Sequence, residues 1–330
     1  MKLLVVLVAL VALVAGGAIP LVPGDNSHYV EGESRYVWLP DGEGNPILVD
    51  LHEPADGDWD PRNPADNQYW LFTRRNPNNA QVITLNNAAS IWASNYAAAR
   101  PLKVIVHGFA GNGNSEINRL LTSAWLAVMD ANIIVVDWRR LASSSYMNAV
   151  NQAPNVGRAV GNFITWLINT AGGNWNNVHF TGFSLGGQIA GNAGRATGGR
   201  PRRVTGLDPV SPMWYNNANA IGQNAGRYVE IIHTHYTRNN SPRIGHADFY
   251  PNGGVNQPGC TTSICSHSRS YHLFASTIRT NHLVGRQCAN VAEAQGNRCN
   301  GAGRLNMGNS LLNKSGTGFF GLTTARNWPF

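Results

Sequence analysis

Ser184 stands in Gly182-Phe183-Ser184-Leu185-Gly186, behind a short apolar run and ahead of Gly187, Ala190, Gly191 and Ala193 at helical spacing. A strand, a tight turn and a helix in that order form a nucleophile elbow, G-x-S-x-G. The backbone at so sharp a turn is crowded, and Gly182 and Gly186 keep Cβ atoms away from the neighbouring chain. A serine hydroxyl held there can attack a carbonyl carbon if a base takes its proton and an acid orients the base. Without those partners it is an exposed serine on a glycine-rich turn. The candidate acid is Asp208, in Gly206-Leu207-Asp208-Pro209, one helix and one strand further on. Ten histidines are available as the base. His267, in Cys265-Ser266-His267-Ser268, follows the acid on a stretch expected to be a loop at the start of a helix, where a mobile imidazole could reach the serine. His233, His235 and His246 read more naturally as structural, although the residues alone leave the choice of histidine open. The oxyanion needs two backbone donors, each worth roughly a hundredfold in rate. The Leu185 amide comes with the elbow, and the Phe109 amide, in His107-Gly108-Phe109, is the candidate for the second.

These residues need strands that end together on one edge. Residues 102–106, 133–137, 204–207 and 228–233 are short apolar runs, as is the stretch leading into the elbow, and each reads as a buried strand. Residues 69–74 and 81–85 read as strands joined by a turn at Asn76-Pro77-Asn78-Asn79. Helices are expected from Asn114 or Ser115 to about 129, over 146–169 with Pro154 near the start, from the elbow to about 195, and over 267–280. The tail, 317–324, is expected to be an edge strand. Strands alternating with helices predict an α/β fold: a mainly parallel sheet covered on both faces.

The chain opens with Met1-Lys2, then an unbroken apolar run over 3–15 and Gly16-Gly17-Ala18, the pattern of a secretory signal peptide. The organisation expected is therefore a leader over 1–17, an N-terminal segment over 18–62 that could include a pro-segment, and one domain over 63–330. Residues 19–62 are rich in Pro, Gly, Asp and Glu, with strand-like pieces at 36–39 and 47–50. No later apolar run reaches the length of a membrane span. In a secreted chain the four cysteines, Cys260, Cys265, Cys288 and Cys299, suggest two disulfides. Three pairings are possible, and the local one, Cys260 with Cys265 and Cys288 with Cys299, is preferred. Their spacings fit no zinc pattern. The net charge is +7, yet only Lys2, Lys103 and Lys314 are lysines among 25 basic residues. Arginine keeps its charge where lysine titrates, which suits an alkaline fluid. The arginines are scattered and accompany no nucleic-acid-binding motif, so no nucleic-acid partner is expected.

His107-Gly108-Phe109, Val136-Asp137-Trp138, the elbow, Gly206-Leu207-Asp208-Pro209, the run from Phe249 to Gly254, Pro258-Gly259-Cys260 and Cys265-Ser266-His267-Ser268-Arg269-Ser270 occur here in one order. On these the chain resembles the secreted insect neutral lipases of the pancreatic lipase family, and is similar to the short-lid phospholipase A1 enzymes within it. The resemblance covers roughly residues 69–299. It implies an α/β-hydrolase fold, and Ser184, Asp208 and His267 as a triad with Phe109 and Leu185 as oxyanion donors. It also implies the local disulfide pairing. The activity implied is carboxylester hydrolysis of fatty-acyl glycerolipids, either sn-1 chains of phospholipids or galactolipids or those of triacylglycerol, at a lipid aggregate or membrane surface. An extracellular setting such as an alkaline gut lumen is expected, and no cofactor.

Three departures qualify this. Only Thr261-Thr262-Ser263-Ile264 lie between the cysteines that bracket the family's lid, so the serine is expected to stand open, without lid gating. The loop after the acid, 215–227, holds no Asp or Glu, so no calcium site is expected. The chain stops at Phe330, so neither a C-terminal β-sandwich nor a colipase site is expected. Two other classes compete: a non-catalytic lipid-binding or storage protein on the same scaffold, which typically lacks the serine, and a cationic membrane-binding factor.

Overall fold

The computed structural model describes residues 11–14, 17–20, 22–55, 67–209, 212–235 and 243–330. The expected leader lies outside the described residues apart from 11–14 and 17, where β1 (Val11–Val14) pairs antiparallel with β2 (Gly17–Pro20). An N-terminal arm over 22–55 follows, carrying the antiparallel hairpin of β3 (Tyr36–Pro40) and β4 (Pro46–Asp50).

The remaining chain builds one eleven-stranded sheet. Its elements are β5 (Gln68–Phe72), β6 (Gln81–Ile83), α1 (Ala88–Trp92), β7 (Leu102–Val106), α2 (Glu116–Val128), β8 (Asn132–Asp137), α3 (Arg139–Ala142) and α4 (Tyr146–Ala171). Then come β9 (Val178–Phe183), α5 (Leu185–Ala196), β10 (Arg203–Leu207), β11 (Val229–Ile232), β12 (Ala247–Pro251), α6 (Ser263–Thr280), β13 (Val284–Cys288), α7 (Val291–Gln295), β14 (Arg304–Asn306) and β15 (Gly318–Leu322). The strand order is β14-β13-β15-β12-β11-β10-β9-β7-β8-β5-β6. From β15 to β8 every pairing is parallel, while β5 and β6 at one side and β13 and β14 at the other run antiparallel.

Burial on both faces explains the apolar runs. Every residue of β7, β8, β9, β10 and β11 is buried. Side chains alternate across a strand, so one half of each run packs under α4 and α5 and the other under α2 and α6. Helices α4 and α5 meet closely because Gly157 faces α5: a Cβ there would stand 2.5 Å from Asn192 Cβ. Helix α4 starts where Ser145 Oγ accepts the Asn148 N–H, and Pro154 lies within it. At α2 the N-cap is Ser115, but its hydroxyl accepts the Asn112 N–H at 2.8 Å and caps no helix amide.

Two sequence expectations change here, and the disulfide pairing stands as expected. The tail strand β15 lies between β12 and β13 rather than at an edge, because β13 and β14 add outside it. His267 lies within α6, not on a loop: Thr262 Oγ1 accepts the Cys265 N–H at 3.3 Å and starts the helix before it. The two disulfides are the local ones, Cys260–Cys265 and Cys288–Cys299. Among the described residues no helix is long and apolar enough to cross a membrane.

Candidate active site

Three adjacent strands deliver the site to one edge of the sheet. Strand β9 ends at Ser184, whose φ of 55° and ψ of −130° place a non-glycine residue in left-handed backbone. Such strain persists only where its surroundings enforce it. Here a Cβ on Gly186 would stand 2.3 Å from the His107 carbonyl oxygen and 2.4 Å from that of Val106, so α5 begins in direct contact with the end of β7. The Ser184 N–H donates to the Leu207 carbonyl at 3.0 Å, tying the turn to β10.

Asp208 follows β10 at a φ of 43°, its N–H bonded to the Ile232 carbonyl at 2.8 Å. Its carboxylate is almost fully buried and fully engaged. Oδ1 accepts the Thr234 N–H at 2.8 Å, the His235 N–H lies 3.2 and 3.1 Å from the two oxygens, and His267 Nδ1–H donates to Oδ2 at 2.6 Å. Burial pushes this carboxyl up, but the His267 hydrogen bond and the His267 and His235 charges more than offset it, leaving its pKa below the ordinary value. An ionised acid accepting from Nδ1–H fixes the tautomer and leaves Nε2 as the free base. The His267 ring rests on Phe183, the residue before the serine, with centroids 4.6 Å apart. Its Nε2 is buried and without a partner among the described residues, so the bond to the Ser184 hydroxyl is not formed in this structure.

Leu185 is the residue after the serine, and Gly108 packs on it, where a Cβ would lie 3.1 Å from Ser184 Cβ. Gly108, the residue before Phe109, therefore lies directly against Ser184. His107 holds the Phe109 loop: its Nδ1–H donates to the Gly108 carbonyl at 2.8 Å, and its Nε2 accepts the Trp138 N–H at 3.3 Å. The Trp138 indole N–H returns a bond to the His107 carbonyl at 2.9 Å.

The serine does not stand open. Ser184 is 2% exposed, and the cavity beside it measures about 10 Å³, room for roughly one water. Leu39, Pro40, Asp41 and Gly42 of the arm form its roof, with Phe109 and Tyr271 among its other walls. Only four residues separate Cys260 from Cys265, and Ser263 and Ile264 among them belong to α6. The cover comes from the N-terminal side, where the sequence offered only Gly- and Pro-rich strand fragments. The Thr234 and His235 amides that hold Asp208 were also invisible beforehand, since a backbone donor carries no residue signature. Among the described residues no group of three or more His, Cys, Asp or Glu side chains could hold a metal ion.

A largely parallel sheet with helices on both faces, and a strained serine at the turn between a central strand and its helix, define an α/β-hydrolase fold. The chain belongs to the lipase family, whose model matches residues 46–318. It is 33% identical over 270 residues to pancreatic lipase-related protein 2 of Bos taurus, covering 73% of this chain and 57% of that one. It is 34% identical over 266 residues to the same protein of Sus scrofa, with 72% and 56% covered. To pancreatic triacylglycerol lipase of Homo sapiens it is 31% identical over 270 residues, with 73% and 58% covered. The chain thus spans little more than half the length of these relatives. Most of the arm precedes the matched region. The disulfides fit an extracellular protein.

Proposed function

We propose that the protein is a secreted serine carboxylester hydrolase that cleaves fatty-acyl esters of glycerolipids. The observation that carries this reading is the 2.6 Å bond from His267 Nδ1–H to Asp208 Oδ2 beside a serine in left-handed backbone. Ser184 Oγ attacks the ester carbonyl while His267 Nε2 takes its proton. The oxyanion of the tetrahedral intermediate receives the Phe109 and Leu185 N–H groups. The imidazolium, stabilised by ionised Asp208, returns the proton to the leaving alkoxide. Water, deprotonated by the same imidazole, then releases the fatty acid and regenerates the serine.

The relatives named as triacylglycerol lipases and lipase-related proteins support a glycerolipid substrate. The four-residue spacing at the lid position fits phospholipid or galactolipid sn-1 chains alongside triacylglycerol. The arginine-rich charge fits an alkaline gut lumen. The covered serine favours one competing reading, a lipid carrier that does no chemistry. Fatty-acid release from triolein, phosphatidylcholine and monogalactosyl diacylglycerol, with Ser184→Ala alongside, separates the two. Release by wild type that Ser184→Ala abolishes is expected. Binding of all three lipids with no release from any would leave the carrier.

A further inference from the structure

We propose that the N-terminal arm, residues 22–55, is a built-in cover over Ser184 that must leave before an acyl chain can reach the hydroxyl. The proposal rests on the ester-hydrolase reading above for the identity of what is excluded. Pockets that hold drug-sized ligands measure about 300–1,000 Å³, whereas the cavity at Ser184 measures about 10 Å³. That cavity, bounded by the described residues, has no room for an acyl chain while Leu39 and Pro40 remain in place.

The arm is clamped on both sides of that cavity. On one side it meets the start of α6, one turn before His267. The Gly24 carbonyl accepts the Ile264 N–H at 3.1 Å, and Ser263 Oγ accepts the Asn26 N–H at 2.8 Å. On the other side it meets the start of α2. The Gly42 carbonyl accepts the Glu116 N–H at 2.9 Å, and Arg119 donates to the Glu43 carboxylate at 2.9 and 2.7 Å. Arm carbonyls thus satisfy amides that the first turns of two helices leave without an intrahelical acceptor. Water can take both places once the arm departs, so the polar part of the clamp is reversible. Asn26 braces the arm internally: its side-chain amide donates to the Trp38 carbonyl and accepts the Trp38 N–H, both at 2.8 Å. That pair fixes the hairpin carrying Leu39 and Pro40 to the segment docked on α6.

Locking the arm tests the idea. A Cβ on Gly42 would lie 3.3 Å from Ser115 Cβ, close to the roughly 3.5–4.5 Å span of a disulfide. In Gly42→Cys/Ser115→Cys, two rates are read: phosphonylation of Ser184 by a long-chain fluorophosphonate, followed by mass spectrometry, and fatty-acid release from phosphatidylcholine. With the bridge formed and confirmed by mass, both are expected to fall at least about a hundredfold. Reduction should restore them to the wild-type level, with wild type unchanged by the same oxidant and reductant. A bridged protein that is phosphonylated as fast as wild type would overturn the proposal. Should the double variant misfold, Asn26→Ala serves instead. Loosening the brace should speed phosphonylation severalfold, and an unchanged rate would equally overturn it. If wild type and Asn26→Ala are phosphonylated at different rates yet neither releases fatty acid from any lipid, the cover stands and the ester-hydrolase reading fails.

Discussion

Asp208→Asn changes one atom of the site and separates orientation from charge. The two oxygens of Asp208 are not equivalent: Oδ1 takes the Thr234 N–H at 2.8 Å, while Oδ2 takes His267 Nδ1–H at 2.6 Å. In the asparagine the amide oxygen stays with the backbone donors, because an amide NH2 there would face the Thr234 and His235 N–H groups. The amide nitrogen is left facing His267. It can only donate, so Nδ1 must accept, and the imidazole proton moves to Nε2, the nitrogen that should receive the Ser184 proton. A base presented in the wrong tautomer typically costs about 10⁴ in rate, roughly 5 kcal/mol of transition-state stabilisation. The fold should lose far less. The His235 N–H, 3.1 Å from the replaced oxygen, is the one donor left poorly paired, a cost of about 1–3 kcal/mol. The assay is kcat/KM on a soluble short-chain ester, with thermal unfolding measured on the same samples. Activity within tenfold of wild type would refute the assignment of Asp208 as the residue that fixes the tautomer. A loss that merely tracks unfolding would refute it too.

Gly186→Ala should cost at least about 3 kcal/mol or prevent folding, since its Cβ meets two carbonyl oxygens of β7 and the following residue, which cannot rotate away. Urea denaturation measures this, and a near-neutral variant would show that the elbow is less tightly packed. Burial raises the pKa of Asp137, but the nearby His107, its Nε2 3.7 Å from Oδ1, and the hydrogen bond and charge of Arg139 pull it down to about 2. A depressed carboxylate contributes stability that is complete above its unfolded pKa of about 3.9 and is lost as pH falls toward 2. With exposed Arg139 partly screened, about 1–2 kcal/mol is expected, and Asp137→Asn should flatten that part of a stability–pH curve. Lys103 is 1% exposed, its Nζ lies 4.1 Å from the centre of the Trp125 ring, and it has no hydrogen-bond partner among the described residues. Burial first, then the charge of Arg203, lowers its pKa well below the ordinary value. The unfolded chain therefore binds a proton that the fold resists, and stability rises with pH up to about 10.4. Lys103→Met should gain about 1 kcal/mol at pH 7 and lose that slope; a variant less stable than wild type would contradict this.

The parallel core was legible because burial on both faces leaves runs such as Val104-Ile105-Val106 and Ile133-Ile134-Val135-Val136 with no polar alternation to confuse them. Strand β12 escaped notice because Asp248 interrupts it. That carboxylate is buried, accepting the Ile244 and Gly245 N–H groups at 2.9 and 2.7 Å, a loop-holding role that no local pattern announces. Strands β13 and β14 lie at one side of the sheet and carry Arg286, Gln287 and Arg304 in place of an apolar run, so no strand was expected there and β15 was taken for the edge they form. At the site, order along the chain pointed to Ser184 and Asp208 but left the histidine open, and the family resemblance singled out His267; the fold places the three on neighbouring elements. What sequence could not supply was the rigidity of His267, fixed by where α6 starts, and the network through His107 and Trp138.

The arm was half legible. Val37 and Leu39 alternate on β3, and Val49 and Leu51 do so at and just beyond the end of β4. A strand with one apolar face needs a surface to bury it against, and a two-stranded hairpin has none of its own. Docking somewhere on the domain followed from that pattern; the location did not. All four side chains are in fact part of the core cluster under α4 and α5. Exposing them to water costs about 1.5–3 kcal/mol each, an upper bound near 6–12 kcal/mol in all. At 1.4 kcal/mol per factor of ten, a cost at the low end of that range leaves on the order of one molecule in 10⁴ open in water. Loosening the polar clamp alone therefore cannot expose Ser184 fully. Efficient turnover requires either an apolar surface that receives the four side chains as the arm lifts, or a cut that removes the arm. Activity on lipid aggregates that far exceeds activity on the same ester dispersed as monomers would point to the first. Equal activity that appears only after the arm is cleaved would point to the second.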